Sequence, residues 1–462
     1  MKRRGAVLSL LLAPALGGCS LWDEWTKPEI ARPANWQSTS DGSGVWPDTA
    51  WWRGFASPEL DRLMDEASAG NLDLRVAVAR VRQALANTQI AGAAIYPNLG
   101  TDASVSRTTR FGSTRTTTTT NYQAGLSVGY EVDLFGRIHA TESAALTRLE
   151  ASRYDQEALA LTVSANVALS YFQLLALRER IALATESLNT SRRLLLLLDE
   201  QRRIGTASDL EVAQQRVSVA QQSATIPALR QVERQTLSTL ALLLGRLPQN
   251  FEVAGQRLSA LATPPVIGGI PSELLLRRPD VRGAEADLKA AHLDIAAARA
   301  ARFPRIQLTV DGGTASTALS GLFGPGSFLL TLVGGLTAPI FEGGRLRAQQ
   351  QLSQARYEEL METYRTATLS AFRDVENALS GATLFRQQLA AAREARTQAR
   401  EAYRLADLRF RAGTVDFLTV LDAQRSIIAT DDAVVQAQLS QLAALVDLYK
   451  ALGGGWDGKL PP

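Results

Sequence analysis

Two short glycine motifs in the sequence fit patterns used in catalysis or phosphate binding. Residues 125–129 read Gly-Leu-Ser-Val-Gly, the spacing of a hydrolase nucleophile elbow. That elbow needs a turn between a strand and a helix, whereas Ser127 lies inside a stretch that predicts one continuous strand. Residues 453–459 fit the spacing of a phosphate-binding loop, but Leu460 stands where a Ser or Thr would hold magnesium. Neither motif therefore predicts an enzyme.

Residues that bind metals or nucleic acid are scarce. The 462 residues include one cysteine and two histidines, His139 and His292. This composition leaves no disulfide, no Cys-rich metal cluster and little for a His-based metal centre, so we expect no metal and no cofactor. The three basic residues at positions 2–4 account for the whole formal charge of +3. The rest of the chain is neutral, and we expect no nucleic-acid partner.

The first residues read as an export signal. A basic start is followed by a short apolar stretch and then Leu16-Gly17-Gly18-Cys19, which resembles a bacterial lipobox. The resemblance implies that residues 1–18 are removed, that Cys19 carries acyl chains, and that Ser20 directs the protein to the outer membrane. An ordinary secretory signal with an incidental cysteine is the alternative.

The mature chain contains an internal duplication with an offset of about 207 residues. Four landmarks of the first repeat recur in the second repeat in the same order. The matched pairs are 71–75 with 278–282, Tyr96-Pro97 with Phe303-Pro304, Gly136-Arg137 with Gly344-Arg345, and Gly205-Thr206 with Gly413-Thr414. The period is too long for a solenoid. We predict two copies of one unit, at 58–245 and 271–452, with a linker at 246–270.

Each copy predicts a helix, two strands and two further helices. Alternating apolar and polar residues indicate strands near 99–110, 122–134, 306–318 and 328–340. Thr116 to Thr120 then fall in a solvated loop tip between the first two strands. Long stretches almost without Gly or Pro, with apolar residues seven apart, predict side-by-side helices at 137–204, 207–244, 345–412 and 415–452. A helix over 137–204 is roughly 100 Å long.

The two ends of the mature chain contain no repeat. Residues 19–57 hold six of the seven tryptophans together with several prolines, which predicts an extended, lipid-anchored segment that packs on the helices. Residues 453–462 are rich in glycine and predict a flexible tail.

The strands predict a membrane barrel that one chain cannot complete. Each predicted strand has one apolar face and one polar face, as transmembrane strands do. Closed barrels need about eight strands or more, and open strand edges are not tolerated in lipid. We therefore predict an α+β membrane channel of four transmembrane strands per chain, completed as a homotrimer with a twelve-stranded barrel. A soluble β-sandwich and an antiparallel coiled-coil scaffold are the alternatives.

The chain resembles the TolC-like outer-membrane efflux proteins, of the NodT-like lipoprotein branch. The stretches that carry this resemblance are 51–55, 71–74, 271–275, 277–281, Phe303-Pro304, 339–344 and 421–425, and 277–281 reads Arg-Arg-Pro-Asp-Val. The resemblance implies a trimeric barrel in the outer membrane and an α-helical tunnel through the periplasm. It also implies docking to a periplasmic adaptor and to an inner-membrane pump of the resistance-nodulation-division type.

The resemblance also implies functional positions at the far end of the long helices. The tip residues that would meet the adaptor are Gly205, Thr206, Asp209, Gly413, Thr414 and Asp416. Asp209 and Asp416 also fit a role as helix caps, and we favour that interpretation for both. The positions that correspond to the family's periplasmic gate are Arg409, Phe410, Leu418 and Asp422, and Glu211 corresponds to a lumen-side acid of the family. Phe410 stands where relatives commonly have Tyr, and three copies of Asp422 would form an acidic ring.

The leading hypothesis is a passive outer-membrane conduit for drugs or other toxic small molecules in a tripartite efflux system. An exit duct for type I protein secretion is the second hypothesis. A lipoprotein scaffold without a pore, spanning the periplasm, is the third.

Overall fold

The computed structural model describes residues 25–30, 36–37, 48–113, 115–265 and 278–460. The predicted export signal, the predicted lipidation site Cys19 and the family motif at 271–277 lie outside the described residues. The described chain forms seven α-helices and four β-strands. They are α1 (Pro58–Gly70), α2 (Leu72–Ala93), β1 (Asn98–Phe111), β2 (Thr116–Val132), α3 (Arg137–Arg203), α4 (Asp209–Leu243), α5 (Pro279–Ala300), β3 (Arg305–Ser316), β4 (Phe328–Thr337), α6 (Arg345–Arg411) and α7 (Phe417–Ala451).

The observed helices lie close to the expected ranges, whereas two strand boundaries differ. β2 begins at Thr116, so the threonine run 116–120 belongs to a strand and not to a loop tip. Threonine is β-branched and favours strands, and each of these residues pairs with a residue of β1. β4 ends at Thr337, two residues before Pro339, which has no backbone N–H to continue a ladder.

The chain divides into two compact units, and one of them contains the sheet. This unit comprises residues 80–152 and 283–365 together with a short piece before residue 30. Its four strands are antiparallel neighbours in the order β1-β2-β3-β4. The register joins Asn98 to Gly129, Tyr122 to Ser316 and Arg305 to Thr337. Hairpins within each repeat and one β2–β3 pairing between repeats therefore build a single sheet.

The second unit is a helical assembly with several separate apolar clusters. It comprises residues 30–79, 153–282 and 366–462. Its largest cluster contains Phe55 and Phe172, whose rings meet edge to face with centroids 4.9 Å apart. Trp51 stacks on Tyr449, with centroids 5.3 Å apart. The end of the tryptophan-rich segment thus packs against helices.

Equivalent hydrogen bonds in the second unit reflect the duplication. The Asn71 side chain, ahead of α2, donates to the carbonyl of Leu243 near the end of α4 (2.7 Å). The Arg278 side chain, ahead of α5, donates to the carbonyl of Ala451 at the end of α7 (3.3 Å). Helices leave their last carbonyls unpaired, and in both repeats the residue that starts the repeat's helix fills this need.

The predicted flexible tail is wrong for its first residues. Trp456 is 6% exposed, and its ring meets the Tyr154 ring at a right angle with centroids 6.0 Å apart. The guanidinium of Arg282 lies 5.6 Å from the centre of the Trp456 ring. A large aromatic side chain with these partners removes apolar surface from water, so 453–456 are packed on the helices.

One helix contains a stretch with the length and composition of a membrane span. An 18-residue window of α3 has a mean hydropathy of 1.5, and half of it is buried against the rest of the chain. Core helices pass the same criterion, so this window is weak grounds for a membrane-spanning helix.

Candidate channel-forming sheet and helix tips

The strand register separates the sheet into an apolar face and a more polar face. Side chains of paired residues lie on the same face of a sheet, so the alternation in β2 can be followed across its neighbours. The resulting apolar face carries Leu99, Val105, Tyr122, Leu126, Val128, Tyr130, Ile306, Leu308, Val310, Phe328, Leu330, Leu332 and Leu336. The opposite face carries Asp102, Ser104, Gln123, Ser127, Glu131, Gln307, Thr309, Asp311 and Thr331. On that face Ser127 donates to Asp311 (2.6 Å).

Paired glycines allow the sheet to curve toward its polar face. Gly125 and Gly313 are directly opposite each other on β2 and β3. A Cβ atom on Gly313 would lie 2.6 Å from the Ala124 carbonyl oxygen and 2.7 Å from the Gly125 Cα. Because this Cβ would project on the polar face, the two backbones close toward each other on that side. Glycines at such positions are typical of tight bends in barrels, so this pair permits the sheet to bend toward its polar face.

Both edges of the sheet are open within the described part of the chain. β1 and β4 each pair with one neighbour, and three antiparallel pairings make β4 antiparallel to β1. The apolar face is uncovered in the single chain, with Leu99 70% and Leu332 76% exposed. A β4 edge from one copy can therefore continue the antiparallel order next to the β1 edge of another.

The helix tips of the two repeats turn with the same geometry. Gly205 and Gly413 follow α3 and α6 with φ of +79° and +73°, a region that favours glycine. The amide of Thr206 donates to the Gln201 carbonyl (2.8 Å), and the amide of Thr414 donates to the Arg409 carbonyl (3.0 Å). These six-residue loops are the usual closure of a helix C-terminus.

The helices that leave the tips are capped differently in the two repeats. Ser208 caps α4 in a capping box, in which Glu211 accepts from the Ser208 amide (2.6 Å). Asp209 therefore does not cap α4, because it already lies in the first turn; its carboxylate pairs with Arg202 (3.2 Å). The Ser-x-x-Glu spacing is a known capping signal and could have been found in the sequence.

Asp416 caps α7, as the sequence predicts. Its carboxylate accepts from the hydroxyl (2.6 Å) and the amide (3.0 Å) of Thr419. These two hydrogen bonds hold the pKa of the Asp416 carboxyl below its ordinary value.

The predicted gate residues divide into packed and exposed positions. Phe410 packs in an apolar cluster at the tips, where its ring lies 5.9 Å from that of Phe417. Leu418 is 48% exposed, and Arg409 is also exposed. Asp422 is exposed as well, and its carboxylate lies 3.6 Å from the Arg425 guanidinium on the next turn. Glu211 serves the capping box, so one of its carboxylate oxygens is occupied within the chain.

A buried polar layer joins three helices near the tips and was missed in the sequence. Gln424 of α7 donates to the Ser191 hydroxyl of α3 (2.7 Å), and Gln215 of α4 donates to the Ser191 carbonyl (2.8 Å). Ser191 and Gln215 are fully buried. The Nε2 donors of both amides have partners, whereas the Oε1 atoms of Gln215 and Gln424 are buried without one in the described chain. The paired donors fix the relative register of the three helices. On helices packed on two flanks, the sequence pattern does not separate buried from exposed glutamines.

The described residues contain no group of three or more His, Cys, Asp or Glu side chains that could hold a metal ion. An amphipathic sheet with open edges, joined to 67-residue helices, defines the subunit of a membrane channel.

Comparisons with known proteins lead to the same class. The family model described as "Outer membrane efflux protein" matches residues 63–246 and again 270–454, once for each repeat. The pyoverdine export outer membrane protein OpmQ of Pseudomonas putida is 43% identical over 442 residues, covering 94% of both chains. The outer membrane protein OprJ of Pseudomonas aeruginosa is 35% identical, over 98% of this chain and 96% of OprJ.

Solved structures agree. The outer-membrane channel OprN superposes with a TM-score of 0.90 at 27% identity, covering 95% of this chain and all of that one. The open state of the MtrE outer membrane channel of Neisseria gonorrhoeae gives 0.86 at 32% identity, covering 95% and 98%. The chain belongs to the outer membrane efflux protein family. It is an outer-membrane channel component of an efflux system and has no enzymatic role.

Proposed function

We propose that three copies of this chain close a twelve-stranded barrel that conducts small molecules out through the outer membrane. The observation that carries the proposal is the four-stranded sheet with an exposed apolar face and two open edges. Four strands are too few to close a barrel, and three copies supply twelve. Antiparallel order is kept at each junction of β4 with β1. The polar face then lines the lumen, and the apolar face meets lipid.

The exported compounds are small molecules in this proposal. Relatives are named for the export of pyoverdine and for the efflux of solvents or toluene. An inner-membrane pump of the resistance-nodulation-division type and a periplasmic adaptor supply the energy and the connection. The adaptor meets the tips at Gly205, Thr206, Asp209, Gly413, Thr414 and Asp416. Acyl chains on Cys19 anchor the mature chain in the outer membrane.

The periplasmic gate forms where the tips of three copies converge. Asp422 projects from α7 and is 67% exposed in the single chain, so three copies can present carboxylates to a narrow pore. Such a ring attracts cations and repels anions. Phe410 supports the gate from the apolar tip cluster, while Arg409, Leu418 and Glu211 lie around the entrance.

Two measurements test the conduit. Purified full-length protein in planar bilayers should give discrete conductance steps, whereas a scaffold without a pore gives none. Deletion of the gene should raise sensitivity to hydrophobic drugs, dyes or solvents. Loss of a secreted protein with unchanged drug sensitivity would instead indicate type I secretion.

The gate is tested with two substitutions at one position. Asp422→Asn removes the carboxylate and should reduce block by divalent cations, while Asp422→Glu keeps the charge and should preserve block. Equal block in wild type and both variants would remove Asp422 from the pore.

A further inference from the structure

The β1–β2 hairpin extends beyond the four-stranded sheet. Pairing between β2 and β3 stops at Tyr122 and Ser316, while pairing between β1 and β2 continues to Phe111 and Thr116. Residues 106–111 and 116–121 therefore form a two-stranded extension of six residue pairs, here called the outer ribbon. At 3.4 Å per residue it adds roughly 20 Å.

The outer ribbon is positively charged. No acidic residue lies between Asp102 and Glu131, whereas Arg107, Arg110 and Arg115 all fall in this stretch. The connection between β3 and β4, residues 317–327, has no charged residue. Both Arg107 and Arg110 are exposed, and neither takes part in an ion pair or side-chain hydrogen bond within the described chain. These arginines have no carboxylate nearby in the ribbon to neutralise them.

The two arginines of the ribbon lie on opposite faces. Arg107 pairs with Thr120 and lies on the same face as Val105 and Tyr122, which is the apolar face of the sheet. Arg110 pairs with Thr117 and lies on the polar face. The ribbon thus offers one arginine on the lipid side and one on the lumen side.

Aromatic residues indicate where the lipid core ends. Tyr122 and Tyr130 lie on the apolar face of β2, eight residues apart, which is about 27 Å along the strand. The apolar band of outer-membrane barrels is about 25 Å tall and is flanked by aromatic residues; because the strands tilt by about 40°, this height corresponds to roughly 33 Å along a strand. Arg107 is one pair beyond Tyr122 on the same face and therefore lies about 34 Å along the strand direction from Tyr130, where the lipid headgroups begin. Just beyond it, the hydroxyls of Thr109 and Thr118 lie 3.1 Å apart.

We propose that Arg107 and the neighbouring threonine hydroxyls bind a phosphate group of an anionic lipid in the outer leaflet. The guanidinium offers a planar set of donors that matches phosphate oxygens, and the hydrogen-bonded pair of Thr109 and Thr118 adds the one hydroxyl hydrogen that is not shared between them. This inference rests on the proposed function, because the barrel orientation places the ribbon at the outer surface. The anchoring is independent of the acyl chains expected on Cys19.

The test compares lipid retention by three full-length proteins purified in detergent. Wild type, Arg107→Gln and Arg110→Gln are incubated with diphosphorylated lipid A, and bound lipid is counted by native mass spectrometry. Arg107→Gln should bind at least about tenfold more weakly, because a hydrogen-bonded charge pair to phosphate is lost. Arg110→Gln, on the other face, should bind like wild type. Equal binding by the two variants would overturn the proposal.

Two further arms identify the ligand. Dephosphorylated lipid A should bind wild type and Arg107→Gln equally weakly. Equal retention of phosphorylated and dephosphorylated lipid A by wild type would contradict a phosphate site. A millimolar excess of inorganic phosphate should leave the lipid bound, and displacement by it would indicate a site for the free anion instead.

Conductance separates this inference from the proposed function. Arg107→Gln should form pores of wild-type conductance in planar bilayers, since Arg107 lies outside the lumen. Wild-type pores without preference for the phosphorylated lipid would overturn this inference alone. Lipid preference without pores in wild type would overturn the conduit.

Discussion

The sheet and the helical core of this chain treat their apolar residues in opposite ways. Phe172 in the helical core is fully buried, whereas Leu332 in β4 is 76% exposed. Both units are built from the same two repeats. The helices bury a large apolar cluster within one chain, although side chains such as Leu196 and Leu384 stay exposed, while the strands leave a whole face and two edges uncovered. The difference indicates that the sheet is built to be completed by lipid and by further copies of the chain.

Blocking an edge of the sheet should have the largest effect. Ala315 donates to the Ser327 carbonyl (2.9 Å), and because pairs alternate along an antiparallel ladder, the amides of Leu330 and Leu332 point to the open edge. Leu332→Pro removes one of these donors and leaves the β3 side intact. We expect complete loss of assembly by size-exclusion chromatography with light scattering. Leu332→Ala keeps the amide and should assemble; assembly of the proline variant would mean that β4 is not a junction.

Truncating the helical core should destabilise the chain itself. Phe172→Ala removes a ring that packs on Phe55, and such large-to-small changes cost about 3–5 kcal/mol. Guanidinium unfolding in detergent, followed by helical circular dichroism, measures this loss. Leu126→Ala on the apolar face of the sheet is the comparison and should cost far less, because Leu126 is 56% exposed and loses few protein contacts. Similar losses would remove the contrast between the two regions.

A charge on either face of β4 should distinguish lipid from lumen. Leu330 lies at the level of Leu126, halfway between Tyr122 and Tyr130, and so near the bilayer midplane. Leu330→Lys should cost about 2–4 kcal/mol of folding free energy in a bilayer. Thr331→Lys, one residue along and opposite Asp311, should cost much less. Refolding titrations into vesicles measure both, and the reverse order would exchange the two faces.

The smallest effect is expected at the helix tips and depends on pH. The folded-state pKa of Asp416 lies below its ordinary value, so its cap is fully present above pH 3.8 and is lost as the pH falls through the lowered pKa. Hydrogen exchange at the start of α7 should accelerate in acid more than the intrinsic chemistry requires. Asp416→Asn can still cap the helix but does not titrate. Its profile should lack the acid component, and parallel profiles in both proteins would rule out this cap as the titrating group.

Elements with strong periodicity could be predicted from the sequence, because repetition and chain breaks mark them directly. The glycines at 205 and 413 end helices in the structure as expected, since each adopts a positive φ. The polarity of the threonine run at 116–120 favours a loop, whereas its β-branched side chains favour a strand, and its pairing with β1 selects the strand.

The remaining differences come from contacts between residues far apart in sequence. Trp456 packs on Tyr154 and Arg282, which no local pattern connects to a glycine-rich tail. The layer of Ser191, Gln215 and Gln424 depends on three helices meeting at one level. Of the candidate site, the faces of the strands and the Asp416 cap follow from spacing, and the Ser208 cap follows from the Ser-x-x-Glu motif at 208–211.

The central claim is that neighbouring copies complete the sheet, and counting subunits tests it most directly. Full-length protein extracted in mild detergent can be weighed by native mass spectrometry with its detergent shell removed. Our account predicts a mass of three chains, and no monomer that conducts ions in bilayers. A stable monomer with conductance, or a stable monomer without any channel, would contradict it.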